Sequence, residues 1–335
     1  MKTPPQQTFF IAGVPRSGTT LLQLLLDHHS EIAVCPETNI FNVIDRVLAN
    51  KEIKKDWQYE QLIAVLNQRL KDFDDPAFSV MNAFQAAHSS YSGSTTELLN
   101  ALRESYLSAK GKKIFGEKTP ENIYFLSTIH KVCPQAKIIL IVRHPLDVTC
   151  SLLKSFQKSS VSRSYSASRL LQKAAIFVKR GLLAIKQLER LFPGKAYIVY
   201  YEQLVKNPQK ELQQLCQFLQ VNYESGMLDF YNRDLIRENT PVLENIHQHL
   251  SNPISSNRTQ KYLTELRPFE RQWVKTFLGK SISNTHYELP SETAKWPMRY
   301  HIQLVLARLN FSLKTYYWRE VLKKSWNYLR LKANR

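Results

Sequence analysis

Residues Gly13-Val14-Pro15-Arg16-Ser17-Gly18-Thr19-Thr20 keep both glycines and the closing threonine of a G-x-x-x-x-G-K-[ST] phosphate loop, with Thr19 where the lysine belongs. The chemistry of such a loop is anion binding. Backbone N–H groups at a helix start point outward, the helix adds about half a positive charge there, and a glycine lets an oxygen approach closely. Ser17, Thr19 and Thr20 add hydroxyl donors, and Arg16 adds a charge. The missing lysine is the group that spans β- and γ-phosphates, and the apolar run that ends at Arg143 lacks the acidic magnesium ligand of a nucleotidase. ATP or GTP with magnesium is therefore a poor fit, and a P-loop nucleotide or small-molecule kinase is kept only as the alternative. A donor with no γ-phosphate and no obligatory metal fits better.

The elements that must hold this loop are legible around it. TFFIAG (8–13) is a short apolar run that reads as a buried strand, and TTLLQLLLDH (19–28) reads as the helix after the loop. KKIFG (112–116) reads as a second strand, followed by a helix with Pro120 in its first turn. AKIILIVR (136–143) has the continuous β-branched character of a central parallel strand, and HPLDVTCSLLKSF is the helix after it. A long helical stretch covers 165–191, KAYIVYYE (195–202) is a fourth strand, and NPQKELQQLCQFLQV is another helix. Residues 39–110 are mostly helical by pattern, with breaks at KDFDDPAF and HSSYSGST. Strands alternating with helices predict an α/β fold of the P-loop type, three layers with a central parallel sheet.

The chain has 335 residues, 43% of them hydrophobic and 22% charged, with a net charge of +18. That balance asks for an anionic partner. No nucleic-acid-binding motif accompanies it, so a nucleic-acid partner is not expected. Cys35, Cys133, Cys150 and Cys216 are scattered without a C-x-x-C pair, and Cys150 and Cys216 read as buried thiols. The apolar run 9–14 is too short for a signal peptide, and no run approaches the ~18 residues of a spanning helix. The expectation is a cytoplasmic protein, with peripheral membrane association left open.

PRSGTTLL resembles the 5′-phosphosulfate loop of the sulfotransferases that use 3′-phosphoadenosine 5′-phosphosulfate (PAPS). IVRHPLDVTCSLLKSF resembles the 3′-phosphate motif of that family: Arg143 at a strand end, Pro145, Asp147, and Ser151 eight residues after the arginine. Arg143 leaves the strand tip and Ser151 lies about two helical turns on, so both can address one phosphate. The resemblance covers roughly residues 8–280 and implies PAPS as co-substrate, 3′-phosphoadenosine 5′-phosphate (PAP) as product, and no metal. It assigns Arg16, Ser17, Gly18, Thr19 and Thr20 to the 5′ end, and Arg143 and Ser151 to the 3′-phosphate. Glu37, in VCPETNIF, is similar in spacing to the glutamate base of the tyrosylprotein branch; the competing reading is a helix cap near Asn39. Other candidate bases are His28, His29, His144 and Glu117. Lys118, in FGEKTPENIYF, resembles the E-K-S/T-P segment of the carbohydrate branch. It and Arg16 would neutralise charge on the leaving group; the competing reading for Lys118 is a solvated lysine at a helix start. Tyr201, in VYYEQLVKNP, would meet the adenine or else be a core aromatic, and Ser256, Arg258 and Lys261, in NPISSNRTQKYL, would close over the nucleotide. The acceptor regions 45–110 and 225–250 match no branch. A protein tyrosine, a sugar hydroxyl, a lipid and a small molecule all stay open as acceptor.

Residues 1–285 are expected to form the sulfotransferase domain and 286–335 a basic, aromatic-rich helical extension. From Trp296 to Arg335 there are nine Lys/Arg and one acid. Apolar residues recur at helical spacing, at Ile302, Leu306, Leu309, Leu313, Tyr317 and Val321. Three readings of this tail stand: its stripe packs on the protein, it lies on an anionic membrane surface, or it recruits an acidic acceptor such as a polysaccharide.

Overall fold

A computed structural model of the chain describes residues 7–45, 95–158, 165–232 and 252–312. The chain divides into two compact units, one of Met1–His144 with Leu183–Thr259 and one of Pro145–Leu182 with Gln260–Arg335.

Among the described residues, the first unit is built on five parallel strands: β1 (Thr8–Gly13), β2 (Ile32–Cys35), β3 (Ile114–Lys118), β4 (Lys137–Val142) and β5 (Ala196–Tyr200). Their order in the sheet is β2-β3-β1-β4-β5, so the phosphate-loop strand lies in the middle. Every residue of β1, β2 and β3 is buried, as strands covered on both faces require. The register sets the strand ends side by side. Gly13 pairs with Ile141, Ile11 with Lys118 and Cys35 with Glu117. The loops after β1, β2, β3 and β4 therefore leave the sheet at one edge, where the strand order reverses beside β1. A crevice at that switch point is where open parallel sheets bind ligands.

The α-helices among the described residues, in order, are α1 (Thr19–Asp27), α2 (Ile40–Val43), α3 (Thr95–Lys110), α4 (Leu126–Val132), α5 (Pro145–Lys158), α6 (Ala167–Leu191), α7 (Tyr201–Lys206), α8 (Pro208–Leu219), α9 (Tyr262–Glu265), α10 (Pro268–Leu278) and α11 (Met298–Ser312). In the first unit, Leu22, Leu25 and Leu26 of α1 and Leu212, Leu215 and Leu219 of α8 pack with Phe9, Ile11, Ile139 and Ile141 in one core cluster.

Three expectations are corrected in detail. A strand that the sequence pattern did not reveal, β2, exists, because four apolar residues too few to signal alone are stabilised by pairing with β3. β3 runs two residues beyond 116, since Glu117 and Lys118 still pair with neighbouring strands. The helix that starts at Pro120 is a 3-10 turn, Pro120–Tyr124, separated from α4 by the non-helical Phe125. The expected helices between 46 and 94 lie outside the described residues.

In the second unit, Asp147 is buried in the first turn of α5 and accepts hydrogen bonds from the backbone N–H groups of Gln260 (2.8 Å) and Tyr262 (3.0 Å). Lys154 and the Cys150 thiol both reach the Glu265 carboxylate. Burial, and then Glu265, push the Cys150 thiol up to about 12, which makes it an inert thiol. All four cysteines are free. Trp273 of α10 is buried, stacks on Phe277 and donates its indole N–H to the carbonyl of Tyr300 on α11.

Candidate active site

The loop after β1 is shaped by two glycines. A Cβ on Gly13 would lie 2.6 Å from Ser17 Oγ and 2.8 Å from the Ile141 carbonyl, so only glycine lets the loop turn this tightly against β4. Gly18 caps α1 at φ 105, and a Cβ there would lie 2.6 Å from the Tyr201 ring. Gly18 offers no side-chain acceptor to the first turn of α1. The first-turn amides are thus the outward donors that an anion would use. Ser17 is 1% exposed, and its hydroxyl has no hydrogen-bond partner among the described residues. A buried hydroxyl without a partner costs about 1–3 kcal/mol. An anion oxygen at the loop would supply what it lacks, so the residues present fit a phosphosulfate group. Thr19 is buried and Thr20 half-buried at the helix start.

The lysine that the loop lacks in sequence is replaced in space. Lys118, the last residue of β3, is 1% exposed, and its Nζ donates to Thr20 Oγ1 at 3.4 Å and to Glu37 Oε1 at 2.6 Å. Glu37 follows β2 and is itself partly exposed, so its carboxylate is open on one side. This excludes the solvated-lysine reading of Lys118. The helix-cap reading of Glu37 loses its support as well, because the amides at the start of α2 go to other side chains: the Asn39 N–H donates to Thr119 Oγ1 (3.2 Å) and the Ile40 N–H to Thr38 Oγ1 (3.2 Å).

Glu117, next to Lys118, does something different. It is fully buried and accepts from the Thr38 N–H (3.2 Å), Thr38 Oγ1 (2.8 Å), Thr119 Oγ1 (2.6 Å) and Asn122 Nδ2 (2.8 Å). Burial pushes its carboxyl above the ordinary range, and the bonds from Thr119, Asn122 and Thr38 pull it part of the way back. With its oxygens occupied, Glu117 ties the turn that carries Glu37 to the turn after Lys118. Nothing in the sequence marked Thr38, Thr119 and Asn122 as its partners, although ETN and EKTPEN both read as side-chain-rich turns.

Arg143 leaves β4 beside the loop. One of its nitrogens donates to the Arg16 carbonyl (3.3 Å), another to the Arg258 carbonyl (2.5 Å), and its guanidinium lies over the Tyr201 ring, 4.5 Å from the centroid. Tyr201 is buried at the start of α7, between this guanidinium and Gly18. Arg16 holds φ 78 and reaches solvent, yet protein atoms crowd its guanidinium. That dehydration, and then Arg258 and Arg143, lower its pKa, with Glu37 opposing. Three cations gathered in this way call for an anion.

Arg16, Gly18, Tyr201, Arg143 and Arg258 thus form one group, and Thr20, Lys118 and Glu37 a second, with Arg16 and Glu37 interacting across them. Ser256 is exposed in the turn that carries Arg258. Ser151 on α5 and the exposed Lys261 before α9 belong to the second unit. Among the histidines, His29 is buried with both ring nitrogens engaged: Nδ1 accepts from the Glu31 N–H, and Nε2 contacts the Asn222 carbonyl at 2.8 Å. His28 closes the C-terminal end of α1, and the His144 N–H donates to Glu202.

A lysine-free amide cradle beside a strand-end arginine defines the class. The sulfotransferase family profile matches residues 8–225, so the chain belongs to the sulfotransferase family. A Caenorhabditis briggsae protein, named provisionally as a protein-tyrosine sulfotransferase, is 28% identical over 225 residues, which are 67% of this chain and 69% of that protein. Protein-tyrosine sulfotransferase 1 of Danio rerio is 26% identical over 225 residues, which are 65% of this chain and 54% of that protein. The chain thus spans about two thirds of the first relative and about half of the second. Among solved structures, the sulfotransferase domain from the curacin biosynthetic pathway matches with a TM-score of 0.60 at 23% identity, covering 86% of this chain and 100% of that one, a likeness of fold.

Proposed function

We propose that the protein transfers the sulfuryl group of PAPS to a hydroxyl acceptor, with Glu37 as general base and without a metal ion. The observation that carries this reading is the Glu37–Lys118–Thr20 chain, which sets a carboxylate and an ammonium together at the loop. Glu37 takes the acceptor proton. The acceptor oxygen then bonds to sulfur, and the bond from sulfur to the 5′-phosphate oxygen breaks. The electron pair stays on that oxygen, where Lys118 and Arg16 meet the developing charge. Ser17, Gly18, Thr19 and Thr20 hold the 5′ end. Arg143 holds the 3′-phosphate, Tyr201 supports Arg143 and borders the adenine, and Ser256 and Arg258 cover the nucleotide. The names of the nematode and zebrafish relatives favour a tyrosine hydroxyl as acceptor.

The test is a calorimetric titration of PAP in EDTA, followed by turnover with PAPS and a panel of phenolic acceptors. Glu37→Gln is expected to bind PAP as the parent does and to lose about 10²-fold or more in turnover. Near-normal turnover would move the base elsewhere, and loss of PAP binding in EDTA would overturn the metal-free reading.

A further inference from the structure

Helix α11 is apolar on two faces, and only one of them is packed. Tyr300, Leu304 and Ala307 are buried within the second unit, where Tyr300 receives the Trp273 indole N–H and packs edge-on against Phe269. Met298, Ile302, Val305, Leu306 and Leu309 are 50–75% exposed. At about 100° per residue these five fall within one third of the helix circumference, opposite the buried row. Only two other large hydrophobic residues among the described ones are exposed, Leu183 at 37% and Leu263 at 49%, both less than any of these five. Ile302, Leu306 and Leu309 are thus not packed on the described residues.

Charge borders this face on both sides. Arg299 is exposed along one edge and Arg308 along the other, and α11 contains no acidic residue. The 23 residues that follow, 313–335, hold seven Lys/Arg against one Glu, with Tyr316, Tyr317, Trp318, Trp326 and Tyr328 among them. Scattered exposed leucines need no explanation, but a continuous row does. A second copy of this chain would bring further like charge onto a helix already edged in positive charge. An anionic bilayer answers both features: hydrocarbon for the row, and lipid phosphates for the flanking cations and for the basic, aromatic residues beyond. No helix among the described residues is long and apolar enough to cross a membrane, so α11 would lie on the surface.

We infer that the Met298–Leu309 face of α11 docks the protein on an anionic lipid bilayer. This is independent of the acceptor and of the assignment of the base. The test is co-sedimentation of the full chain with vesicles of phosphatidylcholine alone and with about one third phosphatidylglycerol, at low and high salt. The parent is expected to bind the anionic vesicles at least about tenfold more tightly than the neutral ones, with salt weakening the difference. The triple variant Ile302→Glu/Val305→Glu/Leu309→Glu should lose at least about tenfold in binding to the anionic vesicles. PAP affinity and thermal midpoint, measured in parallel, show that the variant is folded. The milder Ile302→Ser/Leu309→Ser pair serves if it is not. Equal binding of parent and variants would overturn the assignment to this face. Failure of the parent to bind would overturn the proposal outright, whether sedimentation equilibrium then shows a dimer abolished by the substitutions, a self-interface, or a monomer whose own residues 313–335 cover the face.

Discussion

Two regions break the usual sorting of side chains in opposite directions. At the edge of the sheet, the ionisable side chains of Lys118 and Glu117 lie in the interior. On α11, Met298, Ile302 and Leu309 stand in solvent. Each departure costs free energy: an ammonium is dehydrated in one place, and hydrocarbon is wetted in the other. The difference lies in how far each is compensated within the chain. Lys118 has Glu37 and Thr20, and Glu117 has four donors. The outer row of α11 has no such compensation. A buried, partnered charge is a device complete in itself, whereas an exposed apolar row asks for something outside the molecule.

The comparison is broken most directly at Lys118. Lys118→Met keeps the volume, removes the ammonium and is expected to lower turnover about 10²–10³-fold, as loss of a preorganised charge does. Steady-state rates with PAPS check it, and a loss under about fivefold would reduce Lys118 to a structural lysine. A smaller effect is expected at Arg143, which touches Arg16, Arg258 and Tyr201. Arg143→Ala should weaken PAPS and PAP alike, by about 10–100-fold, the worth of one charged bidentate contact. Calorimetry reads it, and unchanged PAP affinity would remove the 3′-phosphate assignment.

The smallest effect concerns pH. Burial raises the Glu117 carboxyl, so the folded chain holds this proton more tightly than the unfolded one. Between the ordinary carboxylate value and the raised one, folding takes up a proton. The contribution is then fully present at low pH and is lost as pH rises through the folded value. Glu117→Gln removes that slope. It also sets an amide N–H₂ among the donors of Thr38, Thr119 and Asn122, at a cost of about 1–3 kcal/mol. Denaturation midpoints of parent and variant across the acidic range test it, and parallel profiles would show that Glu117 does not titrate in that window.

The fold was legible where burial is symmetrical. β1 and β4 are covered on both faces, so their sequences are unbroken apolar runs, and Gly13 and Gly18 mark the turn between β1 and α1. β2 escaped notice because IAVC is too short to stand apart from its surroundings, and its stability comes from pairing with β3. The end of β3 escaped because Glu117 and Lys118 look like loop residues until the register places them beside Cys35 and Ile11. The ion pair between Glu37 and Lys118 joins residues 81 positions apart, and no local pattern encodes a contact fixed by strand register. The family motifs named both residues; the sheet is what brings them together. Tyr201 was readable as an aromatic near a strand end, but its place beneath Arg143 depends on Gly18 having no side chain.

Arg16 adopts a backbone conformation that glycine takes freely and that costs other residues about 1–2 kcal/mol. An arginine kept there sets two selective pressures against each other. Drift toward heat resistance would favour glycine or asparagine at this turn, while drift toward turnover would hold the guanidinium in place. The identity of position 16 in any descendant of this chain therefore records which of the two demands prevailed.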